Sequence, residues 1–293
     1  MGRVTPRVLI IAGSDSGGGA GIQADIKTAT MLGGHAMTAI TALTAQNTLG
    51  VTGVMPVPAE FVIRQMDAII SDIGVDAVKI GMIGSPETVH AVADRLEYLA
   101  VPIVFDPVMI ATSGSVLADE PTIAAFARLM RIATVVTPNI PELEALAGLE
   151  VATDEDRIDA ASALAERFGC AILAKGGHTS GDQVVDALVT SKGVYKHFSE
   201  RVFTNATHGT GCTLATAVAT GLGGGLSLDV ATARGIDFVQ AALRAAPGLG
   251  KGNGPMGHSL DTIPFHHWKA ANNRQGWRAQ DYDSLWGPNR RKH

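Results

Sequence analysis

Along the chain, short runs of Val, Ile and Ala alternate with longer stretches whose apolar residues recur at helical spacing, and most boundaries fall at Gly or Pro. The short runs predict strands at Val8–Ala12, Ala36–Thr41, Asp76–Ile80, Ile103–Phe105, Thr134–Thr137, Ala171–Ala174 and Val184–Val189. Between them, PAEFVIRQMDAIISDI places Phe61, Val62, Met66, Ile69, Ile70 and Ile73 at helical spacing. TDEDRIDAASALAERFG opens on a cap-like Thr153 and stops at Gly169. A third helix is expected from Thr210, Gly211 and Cys212 through Leu214, Ala217 and Val218, preceded by Gly209. Strands alternating with helices argue for βαβ units and an α/β fold with a mostly parallel sheet. The pattern runs unbroken through residues 1–265 as one domain. Residues 266–293 form a polar extension whose Trp268, Trp277 and Trp286 share no helical register.

The segments that follow the strands carry the chemistry. GSDSGGGAGIQAD, GMIG, DPVMIATSG, PNIPELEAL and KGGH each follow a predicted strand. Ligands of open α/β sheets sit beyond the carboxyl ends of the strands, so these five loops should converge on one crevice. Composition narrows what binds there. With 46% hydrophobic residues in 293 the chain can bury a full core, and a formal charge of -5 with scattered Lys and Arg leaves no footprint for nucleic acid. The start lacks a signal peptide's features and its apolar run is too short to span a bilayer, so no membrane partner is expected. Two cysteines, Cys170 and Cys212, imply neither a disulfide framework nor a thiolate metal site, which suits a reducing, cytoplasmic setting.

Cys212 stands at the start of its helix, where free backbone N–H groups and the positive end of the dipole favour an anion. A thiol so placed is expected to have a lowered pKa and to take a proton from a substrate hydroxyl or act as a nucleophile itself, with packing as a small hydrophobe at a helix start as its ordinary alternative. Cys170, on an apolar strand, reads as packing. No G-x-x-x-x-G-K-[ST] loop exists, and neither GSDSGGGAG nor GTGCTL meets the G-x-G-x-x-G spacing. Phosphoryl transfer would still find its parts: Lys175 for phosphate, Asn139 and Glu142 at a helix start for the water shell of Mg2+, and Cys212 for the acceptor. His208 lies beside the anion turn, with capping or packing as its ordinary role. His178 follows KGG, either lining a nucleotide site or facing solvent.

AGSDSGGGAGIQADIKT, TALTAQNTLGV, KIGMIGS, DPVMIATSG, TPNIPELEAL, KGGH, THGTGCTLATAVA and GKGNGPMGH, in this order from about Val8 to His258, resemble the bacterial hydroxymethylpyrimidine/phosphomethylpyrimidine kinases of thiamine biosynthesis, within the ribokinase superfamily. The resemblance implies a ribokinase-like three-layer α/β/α fold, a homodimer, and ATP with Mg2+ as cofactors. Phosphate would pass first to the hydroxymethyl of 4-amino-5-hydroxymethyl-2-methylpyrimidine and then to the resulting monophosphate. It assigns Asp25, Gln46, Met82, Val108 and Ala20 to the pyrimidine, Asn139 and Glu142 to the metal region, and Lys175 to the ATP phosphates. Asp106 joins the cofactor site, Gly209, Thr210, Gly211 and Cys212 meet the transferring phosphoryl group, and Cys212 is the base. Pyridoxal kinases are the nearest alternative, since they phosphorylate a hydroxymethyl on an equally flat ring. Gln23 and Gln46 argue against them, because the pyridoxal-directed relatives tend to read IEAD and to lose the AQN glutamine. A non-catalytic member of the fold would be expected to lack the base or the metal carboxylate. One departure is Arg234, in ARGIDFV, where the family often shows a Lys.

Overall fold

The computed structural model describes residues 5–111, 114–177 and 181–260, so His178 and the three tail tryptophans lie outside the described residues. The chain divides into two compact units, Met1–His258 and Ser259–His293. The expected division near residue 265 also falls outside the described residues.

The first unit is built on a nine-stranded sheet in the order β3-β2-β1-β4-β5-β6-β7-β8-β9. Its strands are β1 (Arg7–Asp15), β2 (His35–Asn47), β3 (Gly50–Pro56), β4 (Ala77–Ile80), β5 (Ile103–Phe105), β6 (Val135–Val136), β7 (Ala171–Ala174), β8 (Gln183–Thr190) and β9 (Gly193–Glu200). The six central strands β2, β1, β4, β5, β6 and β7 are parallel. The outer strands β3 at one end and β8 with β9 at the other run antiparallel to their neighbours. Neither β3 nor β9 was expected from the pattern. Both are exposed along most of their length, so they lack the buried apolar run that marks the central strands.

Alternation along the strands assigns the two faces. Leu9 and Ile11 of β1, Val78 and Ile80 of β4, and Ile103 and Phe105 of β5 point to one core. That core is covered by α2 (Ala59–Asp72), α3 (Pro86–Leu96), α4 (Glu120–Ile132), α5 (Ile140–Ala147) and α6 (Asp154–Phe168). Val8, Ile10 and Ala12 point to the other, with Val104 and Leu173, under α1 (Gly21–Met31), α7 (Thr210–Gly223) and α8 (Leu228–Arg244). A sheet between two helical layers is the expected three-layer α/β/α fold. The period of two in side-chain direction makes both faces apolar, so neither tolerates a one-residue slip.

Helix α7 is buried from Thr213 to Gly221, which explains why LATAVATG shows no polar face. Its N-cap, Gly209, has φ +84, and a Cβ there would strike the carbonyl oxygen of Gly19. Only glycine fits this cap. After β1 the chain crosses to β2 on one side through α1, and after β3 it returns through α2 to β4 on the other side of β1. The order therefore reverses beside β1, where α/β sheets open a crevice at the carboxyl ends of their strands.

Candidate active site

A cavity of about 810 Å³ opens at that reversal. Its wall carries Ser14 and Asp15 at the end of β1 and Ala20 after it, Met82 after β4, Asp106 and Val108 after β5, Asn139 and Glu142 after β6, and Lys175 after β7. Gly209, Thr210, Gly211 and Cys212 close it at the start of α7. The five loops thus meet in one place, and α7 aims its N-terminus between them.

At the centre, Lys175 Nζ donates to Asp106 Oδ1 at 2.9 Å and lies 3.9 Å from Glu142 Oε2. Thr137 Oγ1 also donates to Asp106 Oδ1, at 2.9 Å. Burial alone would raise the Asp106 carboxyl, but Lys175 and Lys79 hold it below its usual range. Glu142 shows the opposite balance: burial pushes it up to about 7, helped by the like charge of Asp106 and opposed by Lys175. Those two carboxylates keep the Lys175 ammonium charged against the cost of its burial. Asn139 and Glu142 form a reciprocal capping box on α5. Asn139 Oδ1 accepts from the Glu142 N–H at 2.9 Å, and Glu142 Oε2 accepts from the Asn139 N–H at 2.8 Å.

The expectation of a lowered thiol pKa at Cys212 is corrected. Burial pushes the thiol up to about 11, and Asp25 and Asp106 add to it, while Lys79 and a hydrogen bond from the Gly21 backbone pull the other way. Desolvation and two like charges outweigh the helix dipole, so the thiol keeps its proton near neutral pH. Cys170 is buried just before β7, with its thiol likewise pushed up by burial to about 11, as suits a packing residue.

Asp25 does not reach the cavity wall. It is fully buried behind it, where Lys79 Nζ donates to Oδ2 at 2.8 Å and Thr216 Oγ1 donates to Oδ1 at 2.6 Å. Both carboxylate oxygens are occupied, so Asp25 acts through the fold rather than by touching a ring. Gln23, set against pyridoxal by sequence, also works locally: its Oε1 accepts from the Asp15 N–H and its Nε2 donates to Ser14 Oγ, each at 2.8 Å. Arg234 is not on the cavity wall; its Nη2 donates to Leu32 O at 3.3 Å.

Three residues that sequence reasoning passed over, or took as ordinary, prove central. Asp15 gathers the glycine loop: its carboxylate accepts from the N–H groups of Gly17, Gly19 and Ala20 at 2.8–2.9 Å and from His208 Nε2 at 3.0 Å. An Asp followed by three glycines within five residues carried that signal, since Asp side chains commonly close turns onto their own backbone. Lys79 lies in a fully buried strand, and a lone Lys inside an apolar run implies a buried partner. Asp186, on the cavity wall, accepts from the Gly176 N–H at 2.7 Å and so shapes the backbone next to Lys175.

A family model described as phosphomethylpyrimidine kinase matches residues 15–257. The hydroxymethylpyrimidine/phosphomethylpyrimidine kinase of Rhizobium meliloti is 44% identical over 90% of this chain and 99% of its own. A thiamine biosynthesis bifunctional protein of Geobacter sulfurreducens is 47% identical over 86% of this chain, which spans about half, 52%, of that relative. Among solved structures, the phosphomethylpyrimidine kinase of Clostridium difficile superposes with a TM-score of 0.73 at 35% identity, covering 82% of this chain and 100% of that one. The ADP complex of Bacillus subtilis pyridoxal kinase gives 0.80 at 32% identity, covering 87% and 98%. Over the cavity and the sheet that builds it, the chain belongs to the phosphomethylpyrimidine kinase family.

Proposed function

We propose that the protein uses ATP to phosphorylate 4-amino-5-hydroxymethyl-2-methylpyrimidine and then the resulting monophosphate, giving the diphosphate for thiamine biosynthesis. The observation that carries this reading is the meeting, in one cavity, of the α7 N-terminus bearing Cys212 with Lys175, Asp106 and Glu142 on one side and Gln46, Met82 and Val108 on the other. The amides of Gly211 and Cys212 stand in the first turn of α7, where no helical carbonyl is available to them. They are the donors for the anionic oxygens of a transferring phosphoryl group.

The residues fit a nucleotide and its metal. A Cβ at Gly211 would lie 3.1 Å from Lys175 Nζ and 3.3 Å from Asp106 Oδ2, so the absent side chain leaves room for phosphate beside a cation. Asp106, Glu142 and Asn139 offer the oxygen donors that Mg2+ prefers, reached through its waters. When bound, Mg2+ neutralises polyphosphate charge. Lys175 steadies the phosphates, and Cys212 faces the acceptor. With its thiol pushed up to about 11, Cys212 is protonated in the resting protein and must lose that proton before it can accept one from the hydroxymethyl. Met82 and Val108 cover the faces of a flat ring, and Gln46 supplies hydrogen bonds at its edge.

Structural similarity to pyridoxal kinase favours pyridoxal as a secondary acceptor. We also infer a homodimer, supported by Leu49, Met55 and Phe61 standing exposed along and beside the β2–β3 edge. The free thiols Cys170 and Cys212 suit a cytoplasmic setting. The deciding experiment is an ATP and Mg2+ phosphotransfer assay offering the hydroxymethylpyrimidine, its monophosphate and pyridoxal separately. Consumption of both pyrimidines with poor use of pyridoxal supports the reading; preference for pyridoxal, or no transfer, overturns it.

A further inference from the structure

Arg157 of α6 is the bulkiest fully buried side chain among the described residues. A guanidinium does not shed its proton on burial, so its charge has to be answered by the groups around it. Nη1 donates to Val185 O at 2.6 Å, Nη2 lies 3.0 Å from Asp154 Oδ1, and Nε has no hydrogen-bond partner among the described residues. Asp154 is half exposed, so water screens that pair.

These contacts set the guanidinium against the loop that carries Lys175. A Cβ on Gly176 would meet Arg157 Nη1 at 2.5 Å and Val185 O at 2.1 Å, so the arginine packs against the backbone next to the lysine. From the same turn, the Gly176 N–H donates to Asp186 Oδ1 at 2.7 Å. Neighbouring residues of β8 are thus gripped from two directions, Val185 by Arg157 and Asp186 by the amide that follows Lys175.

Lys175 has more carboxylates near it than one ammonium can serve. Its Nζ is 2.9 Å from Asp106 Oδ1 and 3.9 Å from Glu142 Oε2, and Asp186 shares the cavity wall with it. Burial pushes the Asp186 carboxyl up, and the Gly176 N–H, Arg157, Lys175 and His197 oppose that rise. The second buried cation therefore settles how the first is used. We propose that Arg157 is a positioning residue for Lys175: its charge answers Asp186, which leaves the lysine ammonium turned to Asp106 and to the ATP phosphates. The phosphate role of Lys175 rests on the kinase reading, whereas the division of the carboxylates between two cations does not.

The experiment has a structural arm and a kinetic one. In a crystal structure of the full-length Arg157→Met variant, Lys175 Nζ should leave Asp106 for Asp186; a lysine still bonded to Asp106 overturns the proposal. In the kinetic arm, Arg157→Met should raise the KM for ATP about 10- to 100-fold, the weight of a charged hydrogen bond, and leave the KM for the pyrimidine unchanged. Adding Asp186→Asn, which keeps an oxygen for the Gly176 N–H but removes the charge, should recover most of that loss. A damaged scaffold would gain nothing from the second substitution, so no recovery, or equal rises in both KM values, overturns the proposal. Arg157→Lys keeps the charge and serves if the methionine variant does not fold. It should retain both ATP affinity and the Lys175–Asp106 contact, and loss of either would show that shape and not charge is at work, which also overturns the proposal. If the wild type transfers no phosphate from ATP, the kinase reading fails, while the place of Lys175 in the variant crystal still decides between the two carboxylates.

Discussion

A buried charge at the base of this site is stable only with its partner. Lys79 and Asp25 are fully buried and 2.8 Å apart, and the ammonium is kept charged by Asp25 and Asp106 against its desolvation. Lys79→Met leaves an unpaired carboxylate and is expected to cost about 3–5 kcal/mol in urea denaturation, whereas Lys79→Met with Asp25→Leu costs much less. Cys212 sets a second test at this scale. The first acceptor is an alcohol that must lose a proton, and the second is a phosphate monoester whose attacking oxygen is already anionic. Cys212→Ala should therefore cost the first transfer much of the roughly 10²- to 10⁴-fold that a positioned base supplies, and the second less, when the two kcat values are measured separately. Equal losses would show that Cys212 positions phosphate. Alkylation of Cys212 by iodoacetamide should be slow at neutral pH and rise with pH beyond the ordinary thiol range, because its thiol is pushed up to about 11. The position of this cysteine at a helix start was legible in THGTGC; its protonation was not, since the sequence does not show Asp25 and Asp106 behind it.

Two helices of the unit carry the same capping device with different consequences. Thr153 caps α6 in a reciprocal box with Asp156 on an exposed surface, and Asn139 caps α5 in a box with the buried Glu142 at the cavity. Thr153→Ala and Asn139→Ala should each lower stability by about 1 kcal/mol in urea melts. Only Asn139→Ala should also raise the Mg2+ concentration needed for half-maximal transfer, because it disturbs Glu142. Unchanged Mg2+ dependence would leave Asn139 a helix cap alone. Helix α6 was legible within one residue at each end, since TDED and a terminal glycine mark both caps. Strand β3 was not, because Gly50–Pro56 owes its conformation to pairing with β2 and not to an apolar pattern of its own.

Across the whole unit, the segment ending at His258 is tied back to α7. His258 Nε2 pairs with Thr213 Oγ1 at 2.9 Å, one residue from Cys212. Burial, with Lys27 nearby, lowers the His258 pKa from 6.5 to about 4. Between those values the unfolded chain binds a proton that the folded protein refuses, so stability falls as pH drops through that window. His258→Asn should flatten the stability-pH profile between pH 7 and 4 by up to about 3 kcal/mol, measured as the difference from wild type in chemical denaturation. A profile unchanged by the substitution would show that His258 titrates normally. The sequence by itself determined the α/β alternation, the parallel central strands, the caps of α6 and α7 and the convergence of five loops, because each follows from local periodicity and turn chemistry. Only the tertiary structure decided that Asp25 stands behind the wall, that Lys79 answers it, that the Cys212 thiol holds its proton, and that Asp15 reaches His208 across the fold. Those are matters of burial and of charges brought together from distant positions, and no local pattern records them.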